Sequence, residues 1–109
     1  MGLAYGNLGM RKDAIEAYKQ AIRIKPEHAK AHYNLGVAYG ELGIRKKEIE
    51  AYKQAIRIKP DYAEAHRLLG AAYGESGMEK EAIEACKQAI RIKPDYAGAY
   101  YCLGVAYGK

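Results

Sequence analysis

Pro26, Pro60 and Pro94 stand 34 residues apart, and each closes an identical octet, Lys-Gln-Ala-Ile-Arg-Ile-Lys-Pro, at 19–26, 53–60 and 87–94. The same step links Tyr5, Tyr39, Tyr73 and Tyr107, and it links Gly2, Gly36, Gly70 and Gly104. Gly9, Gly43 and Gly77 keep it too, as do Ala21, Ala55 and Ala89. A period of this size marks a stacked array, in which each unit buries its apolar face against its neighbours. A catalytic centre is normally built once, so an octet copied three times reads as packing hardware. Its alanine allows close approach of helices, its isoleucines bury, its cations face water near a helix end, and its proline stops the helix.

Each period holds two helical patterns and no alternating, strand-like stretch. Ala31, Leu35, Ala38 and Leu42 step by four, three and four, with His32, Gly36 and Tyr39 in the adjoining rows. Gly43 then signals a stop. Ile49, Tyr52, Ile56 and Lys59 form a second stripe, with Ala55 and Ile58 beside them, ended by Pro60. Asp61 stands where it would cap the next helix, near Ala63. The predicted helices are 30–42, 46–58, 64–76, 80–92 and 98–108, after a first pair of which only part is present. The glycines at 36, 40 and 43 superficially suggest a phosphate loop, but the required spacing, Lys-Ser/Thr and preceding strand are missing. Gly36 is expected to allow two helices to touch, and Gly40 to keep a wall of the array open and shallow.

Composition narrows the class. No apolar run reaches the ~20 residues a membrane span needs, and the first residues lack the pattern of a secretory signal. Two cysteines, Cys86 and Cys102, make no disulfide framework. They occupy different slots, one in the core and one facing outward. Together these features predict a soluble protein of a reducing compartment, the cytoplasm. His32 and His66 occupy equivalent slots, and His28 has no third ligand near it, so no metal is expected. No histidine or carboxylate arrangement activates a cysteine. No catalysis and no cofactor are expected.

The 34-residue step and the residues it repeats resemble the tetratricopeptide repeat. The match runs through Leu35-Gly36, Tyr39, Tyr52, Ala55 and Pro60, then Leu69-Gly70, Tyr73, Ala82, Ala89 and Pro94. The resemblance covers essentially the whole chain. It implies an all-α, right-handed α-solenoid of antiparallel helix pairs. The first helix of each pair would line a concave groove and the second would form the convex back. The units would be 1–28 (truncated), 29–62, 63–96 and 97–109, the last a lone first helix. Some residues depart from the pattern. His32 and His66 stand where the family often has Trp, and Glu48 replaces the small residue that Ala14 and Ala82 supply. Glu48 is expected to loosen its unit or reach its carboxylate to the edge. Cys86 replaces Tyr18 and Tyr52 and should leave its unit underpacked.

On that architecture the groove-facing residues are Lys30, Tyr33, Asn34, Val37 and Glu41, then Glu64, Arg67, Leu68, Ala71 and Glu75, then Gly98, Tyr101, Cys102 and Val105. These differ between units while the octet does not, so they are the candidate surface for a protein or peptide partner. Only Asn34 matches the groove clamp of chaperone-tail-binding relatives, so no terminal-carboxylate clamp is expected. The second-helix segments carry fifteen Lys/Arg against seven Asp/Glu, and the rest three against six, giving the net +5. The back is therefore basic, which mostly complements helix C-termini. It offers weak nucleic-acid binding as an alternative function. The segments 1–7 and 103–109 occupy the same slots of the period. This predicts a piece of a longer array whose last helix, through Tyr100, Leu103, Val105 and Tyr107, self-associates head to tail or by swapping.

Overall fold

The computed structural model describes the backbone of residues 3–108 and the side chains of residues 9–108. Expectations for Gly2, Lys109 and the Tyr5 side chain lie outside the described residues. Six helices follow one another: α1 (Leu3–Ile24), α2 (Ala29–Glu41), α3 (Arg45–Ile58), α4 (Ala63–Glu75), α5 (Glu79–Ile92) and α6 (Ala97–Gly108). No strand occurs among the described residues. The architecture is an all-α solenoid of stacked helix pairs, α2 with α3 and α4 with α5.

The tight turn inside each pair comes from one glycine. Gly43 and Gly77 have φ of +76° and +77°, a conformation that favours glycine. Around them the Ile44 and Met78 amides donate to the Tyr39 and Tyr73 carbonyls at 2.9 Å, and the Gly43 and Gly77 amides donate to Gly40 and Gly74 at 3.1 Å. This double closure satisfies carbonyls that a helix end leaves free. Gly9 occupies the same slot but stays helical, so α1 runs straight where a broken first pair was expected.

The turn between pairs comes from the end of the octet. Lys59 is extended ahead of Pro60, and the Tyr62 amide donates to the Lys59 carbonyl at 3.0 Å. Lys93 and Tyr96 repeat this, also at 3.0 Å. The N-cap of α4 is Tyr62, without a side-chain cap, so Asp61 does not cap as expected. His28 does cap α2, accepting at Nδ1 from the Ala31 amide at 3.3 Å. His32 and His66 donate from Nε2 to the carbonyls of Pro26 and Pro60, at 3.1 and 3.0 Å. Each histidine thus latches a new helix to the end of the octet before it.

The pairs are held by glycine notches filled from the facing helix. A Cβ on Gly36 would fall 2.5 Å from the Tyr52 ring, which is 1% exposed. A Cβ on Gly40 would fall 2.5 Å from the carboxylate of Glu48. Gly40 therefore faces α3 and does not open a wall of the array. Glu48 is 7% exposed. It accepts from Arg45 Nη1 at 2.6 Å and hydrogen-bonds Tyr52. It neither loosens the pair nor reaches the edge, because Gly40 yields the volume and two partners satisfy the charge.

The pair of α4 and α5 solves the same slot differently. Cys86 is fully buried and forms a disulfide with Cys102, their Cα atoms 6.2 Å apart. A Cβ on Gly70 would meet both sulfurs, at 2.8 and 3.2 Å. The expected underpacking does not arise, since the bridge fills the space a tyrosine occupies in α3. With its two cysteines bridged, the chain gives no ground for expecting a reducing compartment. Among the described residues, no helix is long and apolar enough to cross a membrane.

Candidate functional site

The first helices of the units, α2, α4 and α6, line three hollows. The first, of 370 Å³, lies between α1 and α2 and takes in Met10, Arg11, Ala14, Tyr18, Asn34, Val37, Ala38 and Glu41. Arg11 closes it by donating from Nε to Glu41 at 3.0 Å.

The second, of 420 Å³, sits at the junction of α2 and α4, lined by Ala29, Lys30, Tyr33, Lys59, Tyr62 and Glu64. Tyr33 stacks on Tyr62 with ring centroids 4.9 Å apart. It also packs against the core cluster around Tyr52, so much of its ring is committed to the fold. Lys59 places Nζ 4.8 Å from the centroid of the Tyr62 ring. Burial raises the phenol pKa of both Tyr33 and Tyr62, while the Arg67 guanidinium works the other way on Tyr33.

The third hollow, of 290 Å³, opens between α4 and α6. It gathers Arg67, Ala71, Glu75, Gly98, Tyr101, Cys102 and Val105, with Gly70, Gly74 and Ala106. Tyr101 is 77% exposed at its rim. Arg67 donates from Nε to the Tyr96 hydroxyl at 2.7 Å, which pins the guanidinium across the junction. Gly98 leaves room for this, since a Cβ there would fall 3.1 Å from Arg67 Cδ. The slot of Gly98 holds Lys30 and Glu64 in the other units.

Of the fourteen residues read from the sequence as groove-facing, thirteen line these hollows, counting Gly98 and Cys102. Two of them need correction. Leu68 lines none of the three and packs against the Tyr52 core cluster. Cys102 borders the third hollow, but its sulfur is bonded to Cys86 and is not free for a ligand. The sequence reading missed Arg11, Lys59, Tyr62 and Tyr96. Tyr62 and Tyr96 share a slot of the period, so their place at unit junctions was visible. The partners of Arg11 and Tyr96 lie 30 and 29 residues away in sequence and left no local signal.

Burial and the adjacent Glu48 carboxylate also push the Tyr52 phenol far above its ordinary 10.0. The folded state keeps this phenol protonated, while the unfolded chain ionises near 10, so the stabilising contribution is complete below that pH. Stability is expected to fall as pH rises above about 10. Urea titrations across that range check it. A Tyr52→Phe variant should show a shallower alkaline decline, and an unchanged slope would refute the assignment.

Comparisons place this architecture among known proteins. A family model described as TPR repeat matches residues 2–43, 49–77 and 80–109, and one described as tetratricopeptide repeat matches 29–62. None of the curated proteins matches the chain in sequence. A crystal structure of MamA is similar at TM-score 0.87 and 36% identity, covering 98% of this chain and 63% of that one. A second MamA structure gives 0.86 and 36%, covering 98% and 58%. This chain thus spans about three-fifths of those MamA chains. The first TPR of Spaghetti (RPAP3), bound to the HSP90 peptide SRMEEVD, matches at 0.88 and 20% identity, covering 98% and 85%, which shows the shared fold. With the matched segments spanning nearly all of its length, the chain belongs to the tetratricopeptide repeat family, whose general role is non-enzymatic protein interaction.

Proposed function

We propose that the chain is a protein-interaction scaffold that takes a peptide segment of a partner protein in the α4–α6 hollow. The observation that carries this is the pinned Arg67 beside an apolar floor. Ala71, Val105 and Ala106 offer room for an apolar side chain, with the exposed Tyr101 ring at the rim. Arg67 has its Nε engaged by Tyr96, which leaves the terminal nitrogens to meet a carbonyl or carboxylate. Glu75, eight residues further along α4, lies about 12 Å away along the helix axis. The segment that fits carries an apolar residue with an acidic group on the Arg67 side and a basic one on the Glu75 side. A solved tetratricopeptide neighbour holds a peptide, which supports this class of ligand.

The test is an array of short synthetic peptides, followed by titration of the best binder. Ala71 is exposed, so Ala71→Arg should fold normally while filling the hollow. Binding is expected to weaken at least about tenfold, or ~1.4 kcal/mol. An Arg67→Glu variant should weaken acidic peptides most. Unchanged affinity in Ala71→Arg would sink the assignment to this hollow.

A further inference from the structure

The two cysteines of the bridge differ sharply in access. Cys86 is 0% exposed, whereas Cys102 is half-buried and borders the hollow between α4 and α6. A small molecule entering that hollow therefore meets Cys102 and not Cys86. Both sulfurs sit over Gly70, where a Cβ would fall 2.8 Å from one and 3.2 Å from the other. The same Cβ would lie 3.2 Å from the Ala82 carbonyl of α5, so the notch has no slack on the α5 side.

This packing holds only while the sulfurs are bonded. Two separate thiols need van der Waals spacing, well beyond a sulfur–sulfur bond. Cys86 has no room to retreat, since it stands among the buried Ala82, Ala85 and Ala89 of its own helix. Cys102 has the hollow beside it, so its sulfur swings that way or α6 steps off α5. Either movement reshapes the wall that Tyr101 and Val105 also form, because both stand on α6. The Cys102 sulfur also lies 3.7 Å from the Arg67 carbonyl oxygen. As a thiol it gains a proton to donate there, and Arg67 is the residue pinned to Tyr96 beside the hollow.

We propose that the Cys86–Cys102 bridge is a redox switch in the wall of the α4–α6 hollow, opened through that hollow by a dithiol reductant and lowering peptide affinity once open. Its output rests on the peptide reading of the hollow; its chemistry does not. A thiolate of the reductant attacks Cys102 Sγ, and the sulfur–sulfur bond breaks with its electron pair leaving on Cys86. Cys86 then takes a proton, because its buried slot holds a neutral thiol better than a charge. The reductant's second thiolate attacks its own sulfur in the mixed disulfide and releases Cys102. In sum two electrons pass from the dithiol to the bridge, the dithiol's two protons end on Cys86 and Cys102, and the reductant departs as a disulfide. A peptide in the hollow lies across Cys102, so occupancy shields the bridge, and an open bridge weakens occupancy.

Dithiothreitol acting on the oxidised 109-residue chain is the probe, with samples quenched in acid, alkylated and weighed by mass spectrometry. Ala71→Arg fills the hollow and should slow reduction at least about tenfold by denying access to Cys102. Its positive charge alone would draw a thiolate closer, so slowing reports obstruction. With glutathione in place of dithiothreitol, the trapped mixed disulfide should sit on Cys102. An unchanged rate in Ala71→Arg, or glutathione found on Cys86, would overturn the route. For the output, the best peptide of the array is titrated against the oxidised, reduced and reoxidised chain. Affinity should drop about fivefold or more on reduction and return on reoxidation. A Cys86→Ala/Cys102→Ala variant should bind like the reduced chain whether or not reductant is present. Equal affinity in the two redox states would overturn the switch and leave the peptide reading standing. An array with no binder to the oxidised chain would instead refute the peptide reading and, with it, the output of the switch.

Discussion

Tyr52→Ala is expected to destabilise the fold by about 3–5 kcal/mol, the range for removing a large buried aromatic side chain. A domain of this kind has only about 5–15 kcal/mol in total, so much of the chain should lose its cooperative urea transition. Three losses coincide at this residue. The ring fills the notch at Gly36, packs in the largest core cluster and gives Glu48 its hydroxyl partner. Truncation leaves a void and a buried carboxylate with one fewer partner. Tyr18→Ala is the informative comparison, since it alters the same slot of the period at a half-buried site. Measured at a concentration where the chain is monomeric, it should cost well under half as much. Equal costs would mean that slot, and not burial, sets the energetics.

Reducing the Cys86–Cys102 bridge is expected to cost about 3 kcal/mol, the loop-entropy value for a closed segment of roughly 16 residues. The effect should be local. Helix α6 buries only Ala99 and Ala106 among its residues, whereas α4 buries six. Without the bridge α6 has little else to hold it, so its amides should exchange fastest after reduction. The melting temperature should drop by about 10 °C or more, given the usual 4–8 °C per kcal/mol for small domains. A Cys86→Ala/Cys102→Ala double variant should melt at the reduced value with or without reductant. A wild-type melt that ignores the reductant would contradict this account.

The helices were legible because glycine and proline punctuate them. Every predicted span from 30–42 onward falls within one residue of the observed helix. Gly43, Gly77 and the three prolines act locally, through φ and a missing donor, so a period carries their meaning unchanged. The volume exchanges were not legible. Gly40 with Glu48, Gly70 with the Cys86–Cys102 bridge and Gly98 with Arg67 each pair a vacancy on one helix with a bulk on another. Such pairs differ from unit to unit, so a repeat pattern averages them away. The straight α1 was hidden for a related reason. Gly9 matches Gly43 in sequence yet stays helical, so the residue type alone does not dictate the turn.

The three junctions between successive helix pairs are not built alike. The first two are latched by hydrogen bonds, His32 to the Pro26 carbonyl and His66 to that of Pro60. At the third, Tyr100 takes the histidine's slot and is exposed, and a covalent bond from α5 to α6 stands in its place. As an elastic object the array is therefore unevenly stiff. Bending under load is expected to concentrate at the histidine latches, with α4, α5 and α6 moving together. The α4–α6 hollow lies wholly inside that block, so it is expected to keep its shape while the rest of the spring flexes.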